Sequence, residues 1–153
     1  MLDIKIRSAE LADLEVLRRF EQGVVDAERP FNEQLKEGEI QYYDLENMFS
    51  DSNTEILVAE IDSTVIASGY STIRKAKPFF KHDRYAYLGF MYVEPNYRGK
   101  GVIKMVLDEL IAWSAKNDAE EIRLEVYSDN LPAIKAYRKA GFKELMTEMR
   151  MPL

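Results

Sequence analysis

The feature that most constrains this sequence is a predicted β-hairpin followed by a strand, a glycine-rich loop and a helix. Two segments of strand pattern, Glu55–Ile61 and Val65–Ile73, are joined by a short polar turn. A third strand, Tyr85–Val93, ends before Pro95, and a helical pattern begins near Gly99. A hairpin pairs antiparallel strands, whereas a helical crossover connects parallel ones. The sequence therefore predicts a mixed sheet rather than a wholly parallel one.

The rest of the chain adds one strand and two helices before the hairpin, and a strand-helix-strand unit after the glycine-rich loop. Apolar residues alternate in the strands and recur at helical spacing in the helices. We predict these elements: strand Asp3–Arg7, helix Glu10–Asp26, short helix Asp44–Phe49, strand Ile122–Val126, a helix from Asp129 to Gly141, and strand Phe142–Met151. The predicted fold is α/β (α+β), a mixed central sheet flanked by helices in the order β-α-α-β-β-β-α-β-α-β.

Length and composition indicate one core. The chain has 153 residues, of which 46% are hydrophobic, so we expect a single domain over residues 1–153. The sequence has no apolar run long enough to cross a bilayer and no signal-peptide pattern at its start, so we expect a cytoplasmic protein with no membrane partner. It has no cysteine and one histidine, His82. Thiolate and multi-histidine metal sites are thereby excluded, and we expect no metal.

The charge is acidic and unevenly distributed. The net charge is −6, and the first 50 residues alone carry 12 Asp/Glu against 6 Lys/Arg. A general nucleic-acid binder needs clustered positive charge, so we expect no nucleic-acid partner. The basic and aromatic stretch Arg74–Tyr85 is short, and we interpret it as a hairpin connection.

The glycine-rich loop carries the first chemical signal. A strand that runs through glycines into a helix presents free backbone N–H groups and the positive end of the helix dipole to an anion such as phosphate. Arg98, Lys100 and Lys104 add positive charge. The nucleotide-binding P-loop is excluded because no Gly-Lys-Ser/Thr follows, and the dinucleotide fingerprint is excluded because Lys104 replaces its third glycine. A bare Gly-x-Gly is also compatible with a simple tight turn.

A second segment makes the signal specific. Following Arg98-x-x-Gly101, the stretch Leu124–Phe142 contains Asn130, Tyr137 and the pair Gly141-Phe142. Together these motifs resemble the Gcn5-related N-acetyltransferase superfamily over Tyr85–Phe142. The resemblance implies an enzyme that transfers an acetyl group from acetyl-CoA, its cosubstrate, to a primary amine. The predicted order of elements agrees with that family's fold over the rest of the chain.

The resemblance also implies which residues bind coenzyme A. The loop is implied to hold the diphosphate, and the main chain of the preceding strand to hold the pantetheine arm as an added strand would. The residues implied are Met91, Tyr92, Val93, Arg98, Gly99, Lys100, Gly101, Val102, Ile103, Lys104, Asn130 and Ala133. Asn130 has a second interpretation as a helix N-cap, and the two roles are compatible.

Two catalytic residues follow from the same resemblance. Tyr137 matches the tyrosine that protonates the departing thiolate, a role suited to a hydroxyl that is protonated at neutral pH. Glu125 matches the glutamate base of the similar ribosomal-protein alanine N-acetyltransferases, although a surface glutamate paired across the sheet is an equal interpretation. Glu94 and His82 are weaker candidates, since each is more typical of a loop or surface residue.

Three further expectations concern binding. Ile103 stands where the family prefers a small residue, which keeps open an alternative function as a non-catalytic coenzyme A binding or sensing module. In the family the first helices form a wall of the acceptor cleft, so the acidic first third predicts a cationic acceptor, either a small molecule or a peptide amine. Acidic helices are more commonly just solvated faces that keep a protein soluble, and that alternative stays open. The acidic residues concerned are Asp26, Glu28, Glu33, Glu37 and Glu39. A homodimer is a further expectation, because such folds often pair across sheet edges or helices.

Overall fold

A computed structural model describes residues 2–153 of the chain. The strands are β1 (Lys5–Ser8), β2 (Thr54–Ile61), β3 (Thr64–Lys75), β4 (Arg84–Val93) and β5 (Glu121–Arg123). The α-helices are α1 (Leu14–Glu28), α2 (Leu45–Ser50), α3 (Val102–Lys116) and α4 (Leu131–Lys139). There are also three short 3-10 turns. One precedes α1 (Leu11–Asp13), one follows α1 (Arg29–Phe31) and one follows β4 (Pro95–Tyr97).

The sheet has the predicted mixed character. Its strands lie in sequence order, β1-β2-β3-β4-β5, with antiparallel pairing except between β4 and β5, which are parallel. The predicted hairpin is confirmed: Ile61 pairs with Thr64, and both turn residues, Asp62 and Ser63, have positive φ. This is the backbone twist that a two-residue turn between antiparallel strands requires.

Both faces of the sheet are buried, which explains the long apolar runs of β2 and β3. On one face α3 packs through Val102, Val106 and Leu110 against side chains such as Leu57 and Leu88. On the other face α1 and α2 pack through Leu17, Phe20 and Leu45 against Ile56, Val58, Tyr70 and Phe90. Consecutive residues of β2 therefore point to opposite cores, and the domain has three layers.

One irregularity in β4 shapes the functional end of the sheet. Ser68 pairs with Tyr92 and Tyr70 pairs with Gly89, so Phe90 and Met91 together oppose one residue of β3. This β-bulge gives Phe90 a φ of 58°. The buried hydroxyl of Ser68 donates a hydrogen bond to the Phe90 carbonyl at 3.1 Å, which holds the bulge in place.

The predicted last strand, Phe142–Met151, is wrong. The chain after Gly141 forms no strand, and every residue from Lys143 onward is exposed, including Leu145, Met149 and Met151. The predicted strand Ile122–Val126 is also shorter than expected, since β5 ends at Arg123. A strand needs a neighbouring strand to satisfy its backbone hydrogen bonds. Among residues 2–153 no strand pairs with the outer edge of β5, so the segment after Gly141 does not extend the sheet there.

Candidate active site

The glycine-rich loop lies at the start of α3. Gly99 has a φ of 72° and Gly101 a φ of 80°, a left-handed conformation that favours glycine. Apart from the adjacent residues of the chain, no atom lies within 4 Å of the position where a Cβ would stand at either residue. The first turn of α3, beginning at Val102, also leaves backbone N–H groups without intrahelical acceptors. The loop is therefore an open, hydrogen-bond-donating cradle at the positive end of a 15-residue helix.

The basic residues of the loop have distinct surroundings. Arg98 Nε donates to the Val93 carbonyl at 2.8 Å and ties the loop to the end of β4. Lys100 lies with its Nζ 5.5 Å from the centre of the Tyr97 ring. Lys104 pairs with Asp108, one turn further along α3, at 2.5 Å. All three basic residues are exposed, so positive charge surrounds the cradle.

The edge of β4 next to this loop is open. Pairing between β4 and β5 covers only Tyr85, Ala86 and Tyr87 of β4, and the two strands have no ladder beyond that point. The backbone from Leu88 to Val93 therefore presents polar groups on the β5 side that no strand satisfies. An extended, amide-containing ligand fits such an edge as an additional strand does.

Asn130 caps the helix that follows β5. Its Oδ1 accepts a hydrogen bond from the Ala133 N–H at 3.4 Å, which confirms the predicted N-cap role. The cap fixes the start of α4 and so orients Tyr137 further along the helix. The Tyr137 ring packs edge-on against Phe142 at 5.8 Å, and Gly141 between them has a φ of 105°.

Tyr137 is held as a protonated phenol. Burial raises the pKa of its hydroxyl above the ordinary value, and the negative charge of Glu28 raises it further. A phenol in this state donates a proton when a nearby group develops negative charge. This is the state that a thiolate-protonating residue requires at neutral pH.

Glu125 lies just beyond β5 and is exposed. No Lys or Arg of residues 2–153 forms an ion pair with it, so the predicted alternative of a cross-sheet pair is not found in that part of the chain. Glu94 instead pairs with Arg19 at 2.5 Å, and His82 lies 3.7 Å from Glu121 at the far end of β4. Of the sequence candidates for a base, Glu125 is therefore the one that keeps a carboxylate without a cationic partner.

Comparison with known proteins identifies the family. The sequence profile of the acetyltransferase (GNAT) family matches residues 20–142. The chain belongs to this family. An N-alpha-acetyltransferase of Sulfurisphaera tokodaii is 27% identical over 154 residues, which cover 94% of this chain and 82% of that protein. The uncharacterised N-acetyltransferase YobR of Bacillus subtilis is 36% identical over 63 residues, or 41% of this chain, and the match spans only 26% of its length.

A solved structure shares the fold. A predicted acetyltransferase of Clostridium acetobutylicum, crystallised with acetyl-CoA, superposes with a TM-score of 0.75 at 21% identity, covering 97% of this chain and 96% of the other. At that identity the likeness shows the fold alone. The GNAT chain described here is an acetyl-CoA-dependent acetyltransferase with a five-stranded mixed sheet over residues 2–153. Within those residues no helix is long and apolar enough to span a membrane, and no three potential metal ligands cluster.

A row of tyrosines in this acetyltransferase was not predicted as a functional feature. Tyr42 contacts Tyr43 at 5.9 Å between ring centres, Tyr43 contacts Tyr70 at 5.8 Å, and Tyr70 contacts Tyr87 at 6.4 Å. The buried carboxylate of Glu21 positions the first two by accepting hydrogen bonds from both of their backbone N–H groups, at 2.9 and 2.8 Å. We name these four tyrosines the tyrosine row.

Carboxylates influence the tyrosine row electrostatically. Burial raises the pKa of Tyr87 to about 12, and the charges of Glu125 and Glu28 both contribute to the rise. Glu28, the last residue of α1, is half-buried, and burial raises its own pKa. The sequence had indicated Glu28 only as one of several acidic residues. Its convergence with Tyr42 depends on the fold, because the intervening segment has no periodic pattern.

Proposed function

We propose that this acetyltransferase transfers the acetyl group of acetyl-CoA directly to a primary amine on a cationic small molecule or peptide. The observation that supports this most is the open space above Gly99 and Gly101, where no atom lies within 4 Å of a Cβ position. Backbone that is exposed in this way at a helix N-terminus suits a diphosphate, which accepts several N–H hydrogen bonds at once.

The residues that would bind the acetyl donor, acetyl-CoA, follow from this arrangement. We propose that the loop holds the diphosphate, that the open edge of β4 holds the pantetheine arm, and that the start of α4 lines the same groove. The residues assigned are Met91, Tyr92, Val93, Arg98, Gly99, Lys100, Gly101, Val102, Ile103, Lys104, Asn130 and Ala133. Val102 is the fully buried residue of the first turn, whereas Ile103 is half-buried. We therefore expect Ile103 to contribute its backbone N–H without closing the cradle.

The proposed reaction is a direct displacement. The amine nitrogen attacks the thioester carbonyl, backbone donors stabilise the oxyanion, and the carbon–sulfur bond breaks. Tyr137 gives its hydroxyl proton to the departing thiolate, and the nitrogen's surplus proton returns to the tyrosinate. Glu125 is the carboxylate that the resemblance suggests for receiving a proton from the incoming ammonium ion.

The acceptor class is supported by charge and by one relative. The Sulfurisphaera tokodaii protein is an N-alpha-acetyltransferase, a name that denotes transfer to an α-amino group. The acidic first third of this chain favours acceptors that are positively charged. A first panel therefore contains a tripeptide with a free amino terminus, spermidine and an aminoglycoside.

The test combines binding and turnover on one sample. Calorimetric titration with acetyl-CoA and with coenzyme A is followed by thiol release against the panel. We expect micromolar binding and turnover, with kcat lowered about a hundredfold or more in Tyr137→Phe. Tyr85→Phe, at the far end of β4, is the matched control and should keep kcat. Full activity of Tyr137→Phe would refute its role as proton donor.

A second candidate is the non-catalytic coenzyme A binding or sensing module. Ile103, which stands where the family prefers a small residue, is the feature of the sequence that keeps this alternative open. The same experiment separates the two functions. Tight coenzyme A binding without thiol release for any amine would support the sensing module.

We also propose that two copies of the chain pair through the segment after α4. Leu145, Met146, Met149 and Met151 are all exposed, and the helix before them has no buried residue. The open edge of β5 in a second copy would supply the strand neighbour that this segment lacks. Light scattering should give a dimer for the wild type and a monomer for Leu145→Glu/Met149→Glu. Met105→Glu, on α3, is the control, and a monomeric wild type would refute the pairing.

A further inference from the structure

Three segments that are distant in the sequence meet in one cluster of side chains. Asn32 Nδ2 donates a hydrogen bond to the Tyr127 hydroxyl at 3.0 Å, and Arg150 Nη1 donates to Asn32 Oδ1 at 2.6 Å. The Phe31 ring stacks on the Tyr127 ring, with 6.0 Å between the ring centres and 23° between the planes. The cluster joins the turn after α1, the loop after β5 and the segment after α4. We name these four residues the cross-loop bridge.

The cross-loop bridge is fixed from several directions. The carboxamide of Asn32 is used at both ends, because its Oδ1 also accepts a hydrogen bond from the Gln34 backbone N–H at 3.1 Å. Phe31, Asn32 and Tyr127 are half-buried. The Tyr127 carbonyl accepts a hydrogen bond from the Asn130 N–H at 2.9 Å. Tyr127 is therefore held both by the segment after α1 and by the start of α4.

The contacts of α1 show where the cross-loop bridge lies along β4. Arg19 pairs with Glu94, just after β4, at 2.5 Å, and the Cβ position of Gly23 lies 2.5 Å from the Tyr92 ring. Helix α1 therefore runs along β4 in the opposite direction. From Gly23 to its end the helix rises by about 7.5 Å, which equals roughly two strand residues. The end of α1 thus lies beside the open edge of β4, Leu88–Val93.

Tyr127 lies on the other side of that edge. Strand β5 flanks β4 in parallel with Arg123 opposite Tyr87, and the chain continues from this last paired residue to Tyr127. The cross-loop bridge therefore connects the α1 layer with the chain beyond β5, across the open edge of β4. The cradle belongs to α3, which covers the opposite face of the sheet. A donor bound along the cradle and the edge leaves the α1 face, with the bridge across it, for the acceptor.

We propose that the cross-loop bridge limits the acceptor to a primary amine at the end of a slender, unbranched chain. This inference rests on the proposed function and narrows its acceptor class. An amine that reaches the thioester from the α1 face passes beside the two rings and the carboxamide of the bridge. An amine carried on a bulky ring system must break the contacts of Asn32 with Tyr127 and Arg150, whereas a slender chain leaves them intact. Asn32 and Tyr127 thus determine specificity and take no part in the chemistry.

The charges beside the cross-loop bridge suit a cationic chain. Glu33 follows Asn32 directly and is exposed, and Glu125, two residues before Tyr127, is exposed as well. A carboxylate therefore accompanies the bridge on each of the two loops. The positive charge of Arg150 lies at the Asn32 carboxamide. An alkylammonium chain that passes beside the bridge is attracted by the two carboxylates, and its width decides whether it passes.

The experiment compares two acceptors that differ in shape, using the full chain. Thiol release gives kcat/KM for spermidine, whose amines end a linear chain, and for kanamycin, an aminoglycoside whose amines are carried on linked rings. We expect the wild type to prefer spermidine. Tyr127→Ala should lower the ratio of the two kcat/KM values about tenfold, mainly by lowering KM for kanamycin, because small changes in the shape of a pocket discriminate by about that factor.

Three variants make this result specific. Asn32→Ala removes the carboxamide at the centre of the cross-loop bridge and should also lower the ratio. Tyr127→Phe keeps the ring stacked on Phe31 and loses only the hydrogen bond, so we expect it to shift the ratio less than Tyr127→Ala. Arg18→Ala is the matched control: it removes an exposed 2.7 Å ion pair between α1 and Glu46 and should leave the ratio unchanged. Thermal denaturation checks that each variant is folded, and Asn32→Ala carries the test if Tyr127→Ala is not.

Two results would overturn the proposal. One is an unchanged ratio in Tyr127→Ala and Asn32→Ala; an equal loss of activity toward both amines counts as this result, because it indicates a purely structural contact. The other is a wild type that prefers kanamycin. Failure of the proposed function is distinct, since it would appear as a wild type that releases no thiol with any amine. Calorimetric titration of both amines into coenzyme A-saturated wild type and Tyr127→Ala then tests the bridge, and an equal ratio of Kd values, or no binding of either amine, would refute it.

Discussion

Replacing Gly101 by alanine tests the phosphate cradle directly. The residue has a φ of 80°, and a left-handed conformation costs a residue with a Cβ about 1–2 kcal/mol. Alanine also loses less chain entropy on folding than glycine, which offsets about 0.4–1 kcal/mol of that cost. No atom lies within 4 Å of the new methyl group, so no clash is added. The expected loss of stability is about 1 kcal/mol, which lowers Tm by about 2–4 °C in a chain of this size.

Gly38→Ala is a matched control for this backbone cost. Gly38 also has a φ of 80° and open space around its Cβ position, but it lies between α1 and α2, away from the loop. Thermal denaturation should therefore show similar losses for the two variants. Only Gly101→Ala places a methyl group in the space assigned to the diphosphate.

Coenzyme A affinity then separates the two variants. We expect calorimetry to show a Kd about tenfold higher or more for Gly101→Ala, which corresponds to about 1.4 kcal/mol, and an unchanged Kd for Gly38→Ala. If both variants bind coenzyme A as tightly as the wild type, the open space at Gly101 is not where the diphosphate binds. That result would remove the main support for the proposed donor site.

Three further predictions concern stability. Ser71→Ala should cost about 1–3 kcal/mol in chemical denaturation, because it removes the 2.8 Å bond between two fully buried hydroxyls, Ser71 and Ser114; an unchanged midpoint would refute this. Gly23→Ala should destabilise α1 despite alanine's higher helix propensity, since its Cβ would stand 2.5 Å from the Tyr92 ring; a higher Tm would show that the ring yields freely. Arg7 lowers the pKa of Asp13, so their pair stabilises the fold above the ordinary carboxyl pKa and that contribution is lost as pH falls through the lowered pKa. Asp13→Asn should therefore lose less stability on acidification than the wild type, and parallel pH profiles would contradict the assignment.

The sequence allowed prediction of those parts of the fold that depend on local pattern. The β2–β3 hairpin follows from two alternating segments and a polar turn, and α3 follows from helical spacing after the glycines. The prediction of the last strand failed for a physical reason: Leu145, Met149 and Met151 would share one face of an extended segment, but a shared face supplies no neighbouring strand with which to pair. Strand pairing depends on the whole fold or on the assembly, so the sequence of one segment cannot predict it.

The candidate site also has one part that the sequence could predict and one part that it could not. The cradle and Tyr137 lie in segments whose motifs are local and are therefore visible in the sequence. Glu28 and Tyr42 are separated by a stretch without periodic pattern, and the buried Glu21 carboxylate brings that stretch back against α1. A hydrogen bond between a helix side chain and a remote backbone leaves no pattern in the sequence. The sequence indicated Glu28 only as one residue of a general acidic region.

Phe90 links the proposed pantetheine site to the tyrosine row. Its positive φ, which costs a non-glycine residue about 1–3 kcal/mol, creates the bulge beside the open edge of β4 where we place the pantetheine arm. Its ring stacks on Tyr43 at 4.6 Å and so supports the tyrosine row. Strain in one residue is retained because the Ser68 hydrogen bond and this stacking both hold it. The open edge of β4 and the tyrosine row are thus joined through a single buried side chain, and a change at Phe90 should disturb coenzyme A binding and the packing of the tyrosine row together.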